Sequence, residues 1–305
     1  MKEISFAGYR GYPLHLYIWD DVKSPRGMVQ LVHGMAEHLG RYDAFAQFLN
    51  DNGYIVLGDD HRGHGKTCAA APLGVVPDGD CFQDTVRDLK AITDYAQQTY
   101  GLPIVLFGHS YGSFLSQCYI ELFSDAIRGV VLCGSAKQDT PDVNLGLKVS
   151  KMQSKLFGKD KPAKLIRKLS FGAYDKQFDD TKEVGFAWGN RDHEERKKYL
   201  ADPLCNQTMS IGFYESFFRG LTQLYLPANL ANIRKDLPIY IISGDKDPVG
   251  GMGKLVTALF EQYQDIGMQH VEIKLYPDAR HELLNEINRQ QVYDDVLEFI
   301  HKANR

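Results

Sequence analysis

The stretch from Leu102 to Leu122, LPIVLFGHSYGSFLSQCYIEL, constrains the fold of this chain more than any other. A short apolar run with strand character, Pro103 to Phe107, meets Gly108-His109-Ser110-Tyr111-Gly112. An apolar helical pattern follows at once, at Phe114, Leu115, Cys118, Tyr119 and Leu122. Strand, sharp turn and helix are the expected local structure. A serine at the apex of so tight a turn sits in strained backbone, and only small residues two positions away on each side let strand and helix approach. Glycine at 108 and 112 fits that need. The same geometry lifts the Ser110 hydroxyl above the carboxyl edge of a sheet and sets the Tyr111 N–H beside it at a helix N-terminus. Gly-x-Ser-x-Gly recurs by chance, so its weight depends on whether the rest of the chain supplies a base, an orienting acid and a second N–H donor.

Around this stretch the sequence alternates strands and helices. Ser5 to Phe6 and Leu14 to Trp19 flank a Gly/Tyr/Pro turn and predict an opening hairpin. Gly27 to Val32 is a buried-type strand, and a helix over Tyr42 to Asn52 ends at Gly53. Strand Tyr54 to Leu57 runs into Asp59-Asp60-His61-Arg62-Gly63-His64-Gly65, and Val86, Leu89, Ile92 and Ala96 mark one face of a helix near Phe82 to Tyr100. Arg128 to Cys133 is a further buried strand. Strands separated by helices of this length imply right-handed crossovers and a mostly parallel, doubly wound sheet covered on both faces. The rhythm stops from about Ser135 to Leu226, which reads as a mainly helical insertion. It resumes with strand Pro238 to Ser243, a helix across Gly253 to Tyr263, strand His270 to Leu275 and a final helix near Gln290 to Lys302. The expected organisation is therefore one α/β core in two parts, 1–134 and 227–305, with a helical cap at 135–226.

Composition excludes several classes. The formal net charge of −4 gives no electrostatic case for nucleic acid. Five widely spaced cysteines, Cys68, Cys81, Cys118, Cys133 and Cys205, show no Cys/His spacing of a zinc site and read as reduced thiols in the cytoplasm. The first twenty residues lack the apolar core of a signal peptide, and no apolar run reaches the ~18 residues of a membrane span.

A serine hydroxyl needs a base to take its proton, and the base needs a partner that fixes its tautomer. In open parallel sheets such groups belong in loops past the carboxyl ends of strands. Two loops qualify. One, Gly244-Asp245-Lys246-Asp247-Pro248, follows Pro238 to Ser243; the other, Tyr276-Pro277-Asp278-Ala279-Arg280-His281-Glu282, follows His270 to Leu275. The chain order of serine, acid and histidine is thus Ser110, Asp247, His281.

With these residues in place the chain resembles the α/β-hydrolase superfamily, and within it the monoacylglycerol lipase and lysophospholipase group of serine aminopeptidase-like hydrolases. The resemblance is carried by HGMAEHLGRY at 33–42, DHRGHG at 60–65, GHSYG at 108–112, SGDKDPVG at 243–250 and ARHELLNE at 279–286, with FAWGNRD at 186–192 and YLADPLC at 199–205 closing the cap. It implies the α/β-hydrolase fold and a serine esterase working through an acyl-enzyme, with no cofactor and no metal. The expected substrate is a small acyl ester such as a monoacylglycerol or lysophospholipid; thioesters, amides or peptides are the alternative, and a non-catalytic binder the remote one. The resemblance places the acid at the last position of Gly-x-x-Asp, here Asp247, and leaves Asp245 to cap the turn. It places the oxyanion donors at the backbone N–H groups of Met35 and Tyr111. The chain departs here from the family, whose members often carry smaller or less polar residues at these two positions, so Met35 and Tyr111 are expected to narrow the pocket, with the Tyr111 hydroxyl available to substrate.

Other candidates have plainer readings. His33, Glu37, His38 and Arg41 read as a network holding the oxyanion loop, with a contact to a polar head group. His-x-x-His in DDHRGHG lacks the rigid presentation of a helical metal pair and reads as a structural loop. His270 and His301 read as surface residues. Phe186, Trp188, Phe213, Tyr214, Phe217 and Phe218 read as cap core and pocket lining. Lys148 to Lys168 carries eight basic residues against Asp160, with Leu156, Phe157, Leu165, Ile166 and Leu169 interleaved. It is a solvated cap helix or, functionally, a basic amphipathic segment for transient contact with an anionic lipid surface.

Overall fold

The computed structural model describes residues 1–68 and 71–304. An antiparallel hairpin opens the chain, with β1 (Lys2–Ala7) against β2 (Pro13–Trp19). Then β3 (Gly27–Val32), α1 (Asp43–Asp51), β4 (Tyr54–Asp60), α2 (Cys81–Tyr100), β5 (Ile104–His109), α3 (Tyr111–Phe123) and β6 (Gly129–Cys133) alternate. After a helical stretch follow β7 (Ile239–Gly244), α9 (Lys254–Asp265), β8 (Val271–Tyr276) and α10 (Arg289–Ala303), the intervening helices being α4 to α8. The eight strands form one sheet in the order β1-β2-β4-β3-β5-β6-β7-β8, parallel from β4 to β8, as expected of the α/β-hydrolase fold.

The central strands are apolar throughout because both faces are covered. In β5, Ile104 and Leu106 point into a cluster with Val86, Leu89, Leu115 and Leu132, whereas Val105 and Phe107 join Phe45, Val131, Ile242 and Val296 on the opposite face. Side chains alternate between the layers of helices with the two-residue period of a strand.

Element ends differ from the sequence reading by one or two residues, with two larger exceptions: β1 begins at Lys2, three residues before Ser5, where it pairs with β2, and β4 runs past its expected end. Strand β4 continues three residues past Leu57 because β2 pairs beside it, with His15 opposite Asp60 and Tyr17 opposite Gly58. An antiparallel partner gives the acidic start of the DDHRGHG loop ladder hydrogen bonds that hydrophobicity alone does not announce. His301 is also not a surface residue as expected; α10 lays it half-buried against Tyr54, ring centroids 5.6 Å apart.

Between β6 and β7 the chain runs through α4 (Pro141–Phe157), α5 (Lys164–Phe171), α6 (His193–Ala201), α7 (Ile211–Leu221) and the single turn α8 (Pro227–Leu230). The described residues of this stretch contain no strand, only an isolated bridge between Pro162 and Ser210. Helix α7 packs between α4 and α2, and Ser216 Oγ on α7 accepts the backbone N–H of Phe82 at 2.8 Å. The outer faces of α4 and α5 leave Leu145, Met152, Leu156, Phe157, Leu165 and Leu169 between 48% and 67% exposed.

Candidate active site

Ser110 stands at the turn between β5 and α3 with φ 52° and ψ −118°, a left-handed conformation that costs an L-residue on the order of 1–3 kcal/mol. The turn is tight: a Cβ on Gly108 would overlap Ser116 Oγ, and one on Gly112 would overlap the carbonyl oxygens of Val32 and His33. The Ser110 N–H donates to the carbonyl of Cys133 at 2.9 Å, which ties the apex to the end of β6. Gly134 comes next, with φ +58°, and a Cβ there would lie 3.0 Å from His281 Cε1. The ends of β5 and β6 and the loop after β8 therefore converge on one point. The ring of His109, the residue before Ser110, is centred 4.9 Å from that of His281.

Asp247 and His281 form a buried pair. The Nδ1–H of His281 donates to Asp247 Oδ2 at 2.8 Å. Ser243 Oγ donates to the same oxygen at 3.0 Å, and the Val249 N–H to Oδ1 at 2.8 Å. Burial would raise the Asp247 carboxyl, but the charge and hydrogen bond of His281, with these two donors, outweigh it and hold the group below the usual carboxylate range. For His281 burial works downward, and the charge and hydrogen bond of Asp247 turn the balance so that the imidazole rises above its ordinary 6.5. His281 Nε2 is buried and has no hydrogen-bond partner among the described residues. An imidazole oriented at one nitrogen and open at the other can take a proton from a hydroxyl and return it to a leaving group. Asp245 is engaged elsewhere: its Oδ1 accepts the Asp278 N–H at 2.8 Å and clips the two loops together.

Met35 lies in the loop after β3, close to the serine, since a Cβ on the preceding Gly34 would lie 3.2 Å from Ser110 Cβ. The N–H of Tyr111 is the first of α3 and has no partner within the helix. Buried charges brace the loop. Glu37 Oε1 accepts the Gly34 N–H at 2.6 Å, and the Arg41 guanidinium bridges Glu37 and Glu282 at 2.5 and 2.7 Å. Burial would raise Glu282, but Arg41 outweighs it and holds the carboxyl well below its usual range. Asn190 donates to Glu282 at 2.9 Å, and the N–H groups of His281 and Glu282 donate to the carbonyls of Trp188 and Gly189. The segment just before α6 is thus hydrogen-bonded to the histidine loop. A cavity of about 540 Å³ opens beside this network, with Glu37, Arg41, His109 and Glu282 among its polar lining and Phe45 and Leu284 among its apolar lining. Burial, aided by the neighbouring His281, pulls His109 down to about 4.

The two histidines of the DDHRGHG loop do not form a metal-type pair: the His61 and His64 rings meet edge-on at 6.3 Å, and His61 stacks instead on His33, ring centroids 3.9 Å apart. His33 Nδ1–H donates to the Gly34 carbonyl and its Nε2 accepts the His61 N–H, so the pair supports the loop after β3 from below. Among the described residues, metal-type ligands converge instead at His38, Asp202 and Cys205.

One expectation is corrected. The Tyr111 hydroxyl is not available to substrate: its ring is 2% exposed, packed among His64, Phe82, Phe213 and Phe217, and its hydroxyl bonds Thr85. An aromatic at the first position of α3 fills the seam between α2 and α7, where burial outweighs presentation to the site.

Sequence reasoning passed over three neighbours of the pair. Trp188 is expected as cap core or pocket lining with no link to the histidine, yet its ring is centred 5.2 Å from His281 within an aromatic wall of Phe171, Tyr174 and Phe186. Ser243 ended a strand and Glu282 merely followed the histidine; no periodicity distinguishes either.

Comparison with known proteins places these features. A family model described as serine aminopeptidase, S33, matches residues 23–288. A monoacylglycerol lipase of Mycolicibacterium smegmatis is 30% identical over 302 residues, which span 98% of this chain and 96% of the relative. A monoglyceride lipase of Rattus norvegicus is 27% identical over 287 residues, spanning 91% and 86% respectively. A solved structure of a highly thermostable carboxyl esterase from Bacillus coagulans, in complex with glycerol, is similar with a TM-score of 0.91 and 29% identity, covering 100% of this chain and 99% of that one.

Proposed function

This chain belongs to the serine aminopeptidase family of α/β-hydrolases and is an ester-hydrolysing enzyme, and from that premise we propose that it cleaves a monoacylglycerol- or lysophospholipid-like ester through an acyl-enzyme on Ser110. The observation that carries the reading is the open, buried Nε2 of an Asp247-held His281 beside a strained serine. His281 takes the Ser110 proton as Oγ attacks the ester carbonyl, and Asp247 stabilises the imidazolium so formed. The N–H groups of Met35 and Tyr111 hold the oxyanion; one such donor is typically worth ~10²–10³ in kcat. His281 then protonates the leaving alcohol, and water, deprotonated by the same nitrogen, releases the acid. No metal or cofactor enters these steps.

The cavity beside His109 mixes charged and hydrogen-bonding groups with apolar wall, a lining that fits the amphiphilic leaving side of such an ester. The insertion at 135–226 acts as the cap over this site. The exposed leucines of α4 and α5, interleaved with lysines, fit transient contact with an anionic lipid surface from which such a substrate is drawn. Nothing in the charge pattern suits nucleic acid. A cytoplasmic location fits five cysteines that are all unpaired and buried. No helix among the described residues is long and apolar enough to cross a membrane.

The test is hydrolysis of a matched panel by wild type and Ser110→Ala: p-nitrophenyl esters of short and long chain, a monoacylglycerol, a lysophospholipid and an acyl thioester. Ester turnover lost in the variant, on the order of 10⁶-fold, is the expected result. Faster cleavage of the thioester would overturn the substrate class, and turnover that survives in Ser110→Ala would overturn the nucleophile.

A further inference from the structure

Three side chains that the hydrolytic reading leaves unused meet where the cap closes on the core. His38 follows the oxyanion loop, and Asp202 and Cys205 belong to the segment after α6. Their ligand atoms, an imidazole nitrogen, a carboxylate oxygen and a thiol sulfur, all lie within 4.8 Å of one another. His38 Nε2 and Asp202 Oδ2 are 3.0 Å apart.

The geometry is built. Asp202-Pro203-Leu204-Cys205 is a tight turn in which the Cys205 N–H donates to the Asp202 carbonyl at 3.1 Å and the Leu204 N–H to Asp202 Oδ1 at 2.8 Å. Proline at the second position pre-sets such a turn, so carboxylate and thiol are held at fixed separation before any ligand arrives. On the other side, Gly40 leaves room for the imidazole, since a Cβ there would lie 2.9 Å from His38 Cε1. His38 is 12% and Asp202 30% exposed at the side chain, and both border the cavity beside His109, which supplies an entry path and room for water. Cys205 lies behind them, 6% exposed.

The charge balance favours a cation. Arg41 is the nearby positive group, but Glu37 and Glu282 both bind it, so the Asp202 carboxylate is surplus negative charge. One nitrogen, one oxygen and one sulfur donor is a borderline-soft set that suits Zn²⁺ or Co²⁺ and not Mg²⁺ or Ca²⁺, which take oxygen ligands.

We propose that His38, Asp202 and Cys205 form a three-ligand site for a divalent cation of the Zn²⁺ class, with water as the fourth ligand, that clamps the turn after α6 onto the loop after β3. The clamp has two anchors ready beside it, because the Ala36 carbonyl accepts the Asn206 N–H at 2.8 Å and the Tyr199 hydroxyl at 3.3 Å. Binding releases the thiol proton of Cys205 to solvent and forms the metal–sulfur bond; no redox change occurs.

Titration of chelator-treated protein with Co²⁺, followed by absorption, tests the site without reference to turnover. One equivalent is expected to give a thiolate-to-cobalt charge-transfer band and a tetrahedral ligand-field spectrum, displaced by Zn²⁺, with a rise in Tm. Cys205→Ser is expected to abolish the charge-transfer band, and His38→Gln to weaken binding by at least about tenfold, each in protein whose metal-free far-UV spectrum and Tm match wild type. A wild-type titration without the thiolate band, or equal affinity in Cys205→Ser and wild type, overturns the proposal. Because the readout is metal binding, its failure is distinct from failure of the esterase reading.

Discussion

The core and the cap are built from the same residue types, yet they use them in opposite ways. In the core, apolar residues on β5 are completely buried, and each alternates into one of two packed layers. On α4 and α5 of the proposed cap, leucines and a phenylalanine stand 48% to 67% exposed between lysines, and few of their neighbours on the same helices are buried. Hydrophobicity in the core specifies where the chain must go. On the outer cap it specifies little about the fold and is left over for contact with something outside the chain.

The largest test of this contrast concerns the core. Asp247→Asn is expected to lower kcat by about 10⁴-fold, as when the orienting acid of such a triad is neutralised, while Asp245→Asn leaves it within severalfold; the reverse ranking would exchange their roles. The same pair of variants sharpens the electrostatics. His281 must be neutral to accept a proton, and Asp247 raises its pKa above 6.5, so wild-type kcat/KM should rise with pH through a midpoint above that value. Without the carboxylate charge the midpoint should move down. An unshifted limb in Asp247→Asn would mean that another group sets it; His109, at about 4, is already neutral in that range.

A smaller effect is expected on stability. Gly112→Ala places a methyl against the carbonyls of Val32 and His33 and should cost about 1–3 kcal/mol in unfolding free energy, read from denaturant midpoints. Leu156→Ser on the cap, 67% exposed, should stay within about 0.5 kcal/mol. A destabilisation by Leu156→Ser as large as that of Gly112→Ala would erase the contrast. The same serine, and more strongly Lys151→Glu with Lys155→Glu, should weaken association with phosphatidylserine vesicles, the double charge reversal by roughly tenfold or more. Binding that ignores both the variants and added salt would leave the cap face merely solvated.

The unequal legibility of the two regions follows from the same physics. Strands of the sheet are short runs covered on both faces, so local hydrophobicity identifies them, and Ser110, Asp247 and His281 sit directly after such runs. The brace formed by Arg41, Glu37, Glu282 and Asn190 was only half legible, because Arg41 and Glu282 are 241 residues apart in sequence and meet through tertiary folding. Trp188, backed by Tyr174, reaches His281 from the helical stretch, and no sequence period records that approach. The buried Tyr111 phenol shows the converse: its neighbours Phe213 and Phe217 arrive from α7, about a hundred residues later, and turn a side chain next to the nucleophile into packing.

The backbone of Ser110 carries a consequence for selection. A residue at φ 52° and ψ −118° is in a region that glycine occupies freely and serine does not. Pressure for stability alone would therefore drift this codon toward glycine, and the strained serine persists only while its hydroxyl is in use. A lineage that no longer needed the chemistry would be free to relax there first, keeping the fold and losing the function in a single substitution.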